Sequence, residues 1–179
     1  MKCETDYVNK DLIPFLIHFG EKGITPRVLS VSKGEIKTIR IEGRYLTDIL
    51  HETPDPSKLL SIYKELGVRV GYISKYGVAH NDLHTANVVV EGTTPVIVDW
   101  ESTPIMPMRF ETQDEANDFW MGVNSKRLLS TTKRDLQSPE TYSQLEKTYS
   151  VSFREELFSP LETSYSEIKT NAFRLFGII

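Results

Sequence analysis

The sequence predicts an α+β fold, with a few strands and one helix in its first quarter and mainly helices afterwards. Three observations carry this. Two runs rich in β-branched residues flank Lys33-Gly34, the stretch from Lys58 to Tyr76 has helical apolar spacing, and Val88–Val90 and Val96–Val98 are joined through Glu91-Gly92. At 179 residues, 39% of them hydrophobic, the chain is long enough for one sizeable core. No repeat and no low-complexity tract competes with that reading.

The first element is a helix. Asp11 is its expected cap, Pro14 is tolerated in a first turn, and Leu12, Phe15, Leu16 and Phe19 follow helical spacing until Gly23 stops it. Arg27–Ser32 and Glu35–Glu42 then read as a hairpin that Gly43 ends. A short helix around Tyr45–His51 precedes Thr53-Pro54-Asp55-Pro56, a loop whose prolines exclude helix, with Ser57 as the cap of the next, long helix. In that long helix, Leu59, Leu60, Ile62, Tyr63, Leu66, Val70 and Ile73 form the buried side, and Gly77 is its left-handed stop. The valine runs are short buried strands, so a polar cluster from His80 to Asn87 enters a hairpin that Asp99 leaves. Beyond Pro107, helices are expected at about residues 114–129, 139–149 and 160–175.

Composition narrows the function classes. A formal charge of -4 supplies no basic surplus for direct nucleic-acid binding, and the longest early apolar run, Leu12–Phe19, is too short to span a bilayer. The lone Cys3 cannot form an internal disulfide, and without a cationic leader the expected setting is reducing and cytoplasmic. His18 and His51, with no supporting Cys or carboxylate spacing, read as structural. Trp100 and Trp120 read as core. Lys126-Arg127 and Lys133-Arg134 read as a solvated helix end that could contact an acidic partner. The apolar residues Phe173, Leu175, Phe176, Ile178 and Ile179 read as an end docked on the domain's own core.

The chemistry sits in His80-Asn81-Asp82-Leu83-His84-Thr85-Ala86-Asn87, followed twelve residues after Asn87 by Asp99-Trp100-Glu101. Phosphoryl transfer needs a carboxylate that accepts the proton of an attacking hydroxyl, and hard oxygen ligands that hold Mg²⁺ against nucleotide phosphates. An Asp and an Asn five residues apart on an irregular loop, with a second Asp at the end of the next hairpin, bring such groups together from one short segment. Rigid valine strands would hold them.

These motifs resemble the catalytic loop and metal-binding segment of the protein-kinase-like superfamily. The loop and Asp99-Trp100-Glu101 are similar to those of aminoglycoside and choline kinases, whereas Gly23–Leu29 and Ile41-Glu42-Gly43 resemble the RIO and KEOPS-complex kinases. The resemblance covers about Gly23 to Leu129 and implies a kinase-like fold: residues 1–43 as a reduced N-lobe with its hinge, residues 44–179 as a helical C-lobe. It implies Asp82 as catalytic base, Asn87 and Asp99 as metal ligands, His80 as a buttress of the loop, and Ile39 to Gly43, with Ile41 between them, as the hinge facing adenine. Asn117–Gly122 resembles the start of the superfamily's central C-lobe helix, with Asp118 bracing the catalytic loop. His84 could meet phosphate or substrate, or simply pack within the loop.

The same resemblance exposes a departure. Kinases cover the phosphates with a glycine-rich loop and pair a third-strand lysine with a helix glutamate. Here the candidates for that pair are Lys2 with Glu4 or Asp11, Lys2 being the end of a truncated third strand. The expected function is an ATP- and Mg²⁺-dependent Ser/Thr kinase of the small atypical type, acting on a protein. Its rivals are a small-molecule kinase and a catalytically silent pseudokinase scaffold that binds a partner.

Overall fold

The computed structural model describes residues 3–32, 35–52, 54–100 and 109–177. The chain is α+β, with two small antiparallel sheets and seven α-helices among the described residues. The first sheet holds β1 (Cys3–Tyr7), β2 (Val28–Ser32) and β3 (Glu35–Ile39) in the order β1-β3-β2. The hairpin expected around Lys33-Gly34 is there, Ser32 facing Glu35, with its turn outside the described residues. β1 is an addition: Cys3 lies opposite Ile39 and Tyr7 opposite Glu35. Its sequence, CETDY, lacks an apolar alternation that would mark it, so its pairing with β3 defines it as a strand.

α1 (Ile13–Glu21) is led in by a turn from Asn9, whose carbonyl accepts from Leu12 N at 2.9 Å. Asp11 does not cap it. Leu12 already has right-handed helical backbone, and the Asp11 amide is taken by the Asn9 side chain at 3.0 Å, so no extended capping residue intervenes. Gly23 stops the helix at φ 69°, where the Ile24 amide reaches back to Phe19 O.

β4 (Arg44–Tyr45) leads into α2 (Leu46–His51), after which comes α3 (Pro56–Lys75). Asp55, not Ser57, caps α3: its side chain accepts from Ser57 N at 2.9 Å. Pro56 sits inside the first turn, where its missing N–H is one the helix would leave unpaired anyway. α3 packs along α6 (Pro139–Leu157) through Gly67 and Gly71. A Cβ on Gly71 would lie 2.5 Å from Phe153 O, and one on Gly67 would strike Tyr149 O. Because Phe153 and Leu157 stay buried against that seam, α6 runs eight residues past the expected end at Tyr149.

β5 (Val88–Glu91) and β6 (Thr94–Ile97) form the expected hairpin, Val88 opposite Ile97, and β4 adds the third strand. α4 (Gln113–Trp120) continues through a π-helical turn, Met121–Ser125, into α5 (Lys126–Asp135), so the helix expected to end at 129 reaches Asp135. α7 (Tyr165–Phe176) starts at a Ser164/Glu167 capping box rather than near Pro160.

One hydrophobic core spans both ends of the chain. Phe15, Phe19, Tyr72, Tyr76 and Trp100 form a ring cluster in which Phe15 also meets Tyr165 at 5.7 Å. The Ile97 amide donates to Ile24 O at 2.8 Å and so stitches the second sheet to the approach to the first. Trp100 and Trp120 are core, each 4% exposed, and His18 is a buried structural histidine bonded to the Tyr72 hydroxyl at 2.8 Å. The apolar end meets the expectation in part: α7 docks through Ile168, Ala172 and Phe176, while Phe173 and Leu175 are 51% and 55% exposed. Ile178 and Ile179 lie outside the described residues. No described helix is long and apolar enough to cross a membrane.

Candidate functional site

Past Gly77 the chain turns under β6 and becomes the polar loop. Its anchor is His80, 3% exposed. The His80 amide donates to Asn124 Oδ1 at 2.8 Å, and the ring lies tilted against Trp100 with centroids 4.6 Å apart. Nε2 lies 2.9 Å from Val98 O, and since a carbonyl only accepts, Nε2 carries the proton. Burial, chiefly, pulls the imidazole below its ordinary range, which keeps it neutral near pH 7. His80 therefore buttresses the loop against the strand end that delivers Asp99.

Two described non-glycine residues have positive φ, Asn81 within this loop at 61° and Asp99 at the end of the hairpin that follows it at 68°. Left-handed backbone costs an L-residue about 1 kcal/mol, Asn and Asp least. Concentrated strain of this kind persists where the surroundings over-determine it, and such places are enriched in functional sites.

Asn87 is 6% exposed and sits at the end of a 3₁₀ turn, Thr85–Asn87. Its Nδ2 donates to Asp82 O at 3.0 Å, and its own carbonyl accepts from Val98 N at 3.0 Å. Asn87 and Asp99 line one cavity of about 250 Å³. Ile36 and Thr38 of β3 wall it from the first sheet, with Tyr45, Ala86 and Trp100 completing the rim. Ile39, Ile41 and Gly43 do not line it. Gly43 instead lets the Val90 backbone approach, since a Cβ there would sit 2.6 Å from Val90 O. The Lys2 candidate, the Glu4 side chain and Glu101 lie outside the described residues.

Asp82 is next to this cavity in the chain but outside its lining, tethered through the bond from Asn87 to its carbonyl. Its half-buried carboxylate forms an ion pair with Arg127 and faces His84 Nε2 at 3.8 Å. His84 Nδ1 accepts from Ala86 N at 3.2 Å, so the proton of the neutral ring is on Nε2, toward Asp82. His84 is thus a neighbour of the candidate base and a cap of the turn at once.

One face of α5 reads the loop at helical spacing. Arg127 pairs with Asp82, Thr131 Oγ1 accepts from Thr85 N at 3.2 Å, and Asp135 accepts from Thr85 Oγ1 at 2.8 Å and Thr47 Oγ1 at 3.1 Å. Asp135 is 5% exposed. Burial pushes its carboxyl up, but hydrogen bonds from Arg134, Thr85 and Thr47 outweigh that and hold it below the usual carboxylate range. Arg127 is therefore more than part of a solvated helix end. The i, i+4, i+8 recurrence of Arg127, Thr131 and Asp135 is visible in the sequence; which surface it faces is not. Asp118 is exposed, and among the described residues no hydrogen bond or ion pair joins it to the loop. The brace is Asn124, 1% exposed, which also donates to Ser74 Oγ at 2.8 Å and Val78 O at 3.0 Å.

Asn87 and Asp99 offer one amide oxygen and one carboxylate on a shared cavity wall, a hard oxygen set that suits Mg²⁺ completed by phosphate and water. Among the described residues no group of three or more His, Cys, Asp and Glu is placed to hold a metal without such help. No family model matches the chain, and no curated protein matches it in sequence.

Proposed function

We propose that the protein is an ATP- and Mg²⁺-dependent phosphotransferase of the small atypical Ser/Thr kinase type, built on a kinase-like fold. The observation that carries this reading is the shared cavity under β3, lined by Asn87 and Asp99, with Asp82 tethered to Asn87 and left-handed backbone at Asn81 and Asp99. The acceptor hydroxyl gives its proton to the Asp82 carboxylate as its oxygen bonds to the γ-phosphorus. The bond from that phosphorus to the β,γ-bridging oxygen breaks, leaving ADP and a phosphomonoester. Asn87 Oδ1 and the Asp99 carboxylate would hold Mg²⁺, which when bound offsets phosphate charge. His80 keeps both strand end and loop in register, and burial of Trp100 keeps water from behind the site.

The test is γ-phosphate transfer from labelled ATP to protein or peptide hydroxyls, beside thermal-shift titration with ATP and Mg²⁺. Asp82→Ala is expected to lower transfer about 10²- to 10⁴-fold while nucleotide still stabilises the fold. Asp99→Ala is expected to remove the Mg²⁺-dependent part of that stabilisation. Unchanged transfer in both variants would sink the assignment. The ion pair on Asp82 favours a second reading, a nucleotide-binding scaffold without catalysis, for which the wild type would be stabilised by ATP and Mg²⁺ yet transfer nothing.

A further inference from the structure

We infer that Arg127 is the acceptor-recognition residue and that the acceptor is a Ser- or Thr-containing peptide segment carrying a carboxylate beside its reacting hydroxyl. This rests on the phosphotransferase reading. The observation is that the candidate base is not free: Asp82 is ion-paired with a guanidinium on another element, and the two side chains are 49% and 60% exposed.

An exposed ion pair by itself is weak and commonplace. This one is placed by a built interface. Thr131 and Asp135, one and two turns along α5, both bind Thr85 in the loop, so the helix face that carries Arg127 is fixed over the loop that carries Asp82. The guanidinium presents five N–H donors in a planar fork, more than one carboxylate takes, and most of the side chain faces solvent. Lys126 beside it is exposed as well. An acceptor bringing its hydroxyl to Asp82 must therefore meet this cation.

The chemistry of the acceptor comes from an exchange of partners. A neutral hydroxyl compound reaches a base whose charge is engaged by Arg127. A compound with its own carboxylate can take Arg127 over, and Asp82 is then released to receive the hydroxyl proton. The number of ion pairs is unchanged by that swap, so binding of an acidic acceptor frees the base at little cost. The acidic neighbour should raise kcat as well as lower KM, because the freed carboxylate matters in the transition state. Basic flanks would instead meet like charge from Arg127 and Lys126.

The expected effects have a sign that a merely structural pair would not produce. Removing Asp82 charge should free Arg127 and tighten anion binding, whereas removing Arg127 should weaken it. Fluorescence-anisotropy titrations would use three labelled Ser peptides flanked by Asp, by Ala or by Arg, with Asp82→Asn, Arg127→Gln and Arg127→Glu variants whose folding is checked by circular dichroism. Asp82→Asn is expected to bind the Asp-flanked peptide about two- to five-fold more tightly than wild type, the scale of an exposed ion pair. Arg127→Gln should bind it at least as many fold more weakly, and Arg127→Glu should turn the preference toward the Arg-flanked peptide. Equal or same-direction shifts in Asp82→Asn and Arg127→Gln would overturn the inference. Transfer kinetics keep the two readings apart: no transfer from wild type to any peptide overturns the phosphotransferase, while transfer whose preference for the Asp-flanked peptide survives Arg127→Gln overturns the role of Arg127.

Discussion

At Asn124 three hydrogen bonds converge on a side chain that is 1% exposed, and each partner lies on a segment that shapes the site: the His80 amide, Val78 O and Ser74 Oγ. Asn124→Ala leaves the amide and carbonyl buried without partners, which is expected to cost about 3 kcal/mol in urea denaturation. Asp135 predicts a pH effect with a definite sign. Its carboxyl is held below the unfolded value, so its contribution to stability is complete above about pH 4 and is lost as pH falls through the lower folded value. Urea midpoints measured from pH 7 downward should fall on that acidic limb, and Asp135→Asn should flatten it. Asp82, Asn87 and Asp99 stand out in the sequence as candidates because they sit on one short polar segment whose motif resembles a kinase catalytic loop. Asn124, Thr131 and Asp135 do not, since an Asn, a Thr or an Asp on a polar helix has no pattern distinguishing a buried brace from a wet surface.

Among the elements, the α3–α6 seam shows how packing decides what propensity leaves open. Gly67 and Gly71 weaken an isolated helix, yet each lies where the α6 backbone approaches too closely for a Cβ. Gly71→Ala should therefore destabilise by about 2 kcal/mol despite its better helix propensity, and thermal unfolding of the variant checks this. The seam also explains why α6 outlasts its expected end: Phe153 and Leu157 are buried only because α3 is there. By contrast, the β5–β6 hairpin and the stops at Gly23 and Gly77 arise from local chemistry, valine runs about a turn and left-handed glycines, and they stand where the sequence puts them. β1 is the opposite case, a segment made into a strand by the free edge of β3.

For the whole molecule, the continuity of the core matters more than any boundary drawn at residue 43. Phe15 and Phe19 from the first segment pack on Tyr72, Tyr76 and Trp100 from the second, and α1 meets α7 from the far end of the chain. Residues 44–179 alone would expose that aromatic surface and leave Ile97 N without Ile24 O. Such a fragment is expected to lose the cooperative transition of the full chain in calorimetry, and a sharp unfolding peak from it would contradict this. By itself, the sequence determined the α+β class, the hairpins and the two glycine stops, and it singled out Asp82, Asn87 and Asp99 as candidates, because each rests on residues close in the chain. Only the tertiary structure decided which groups share a cavity, that Asn124 braces the loop, and that Arg127 engages Asp82, because those contacts join segments tens of residues apart that meet only once the core has formed.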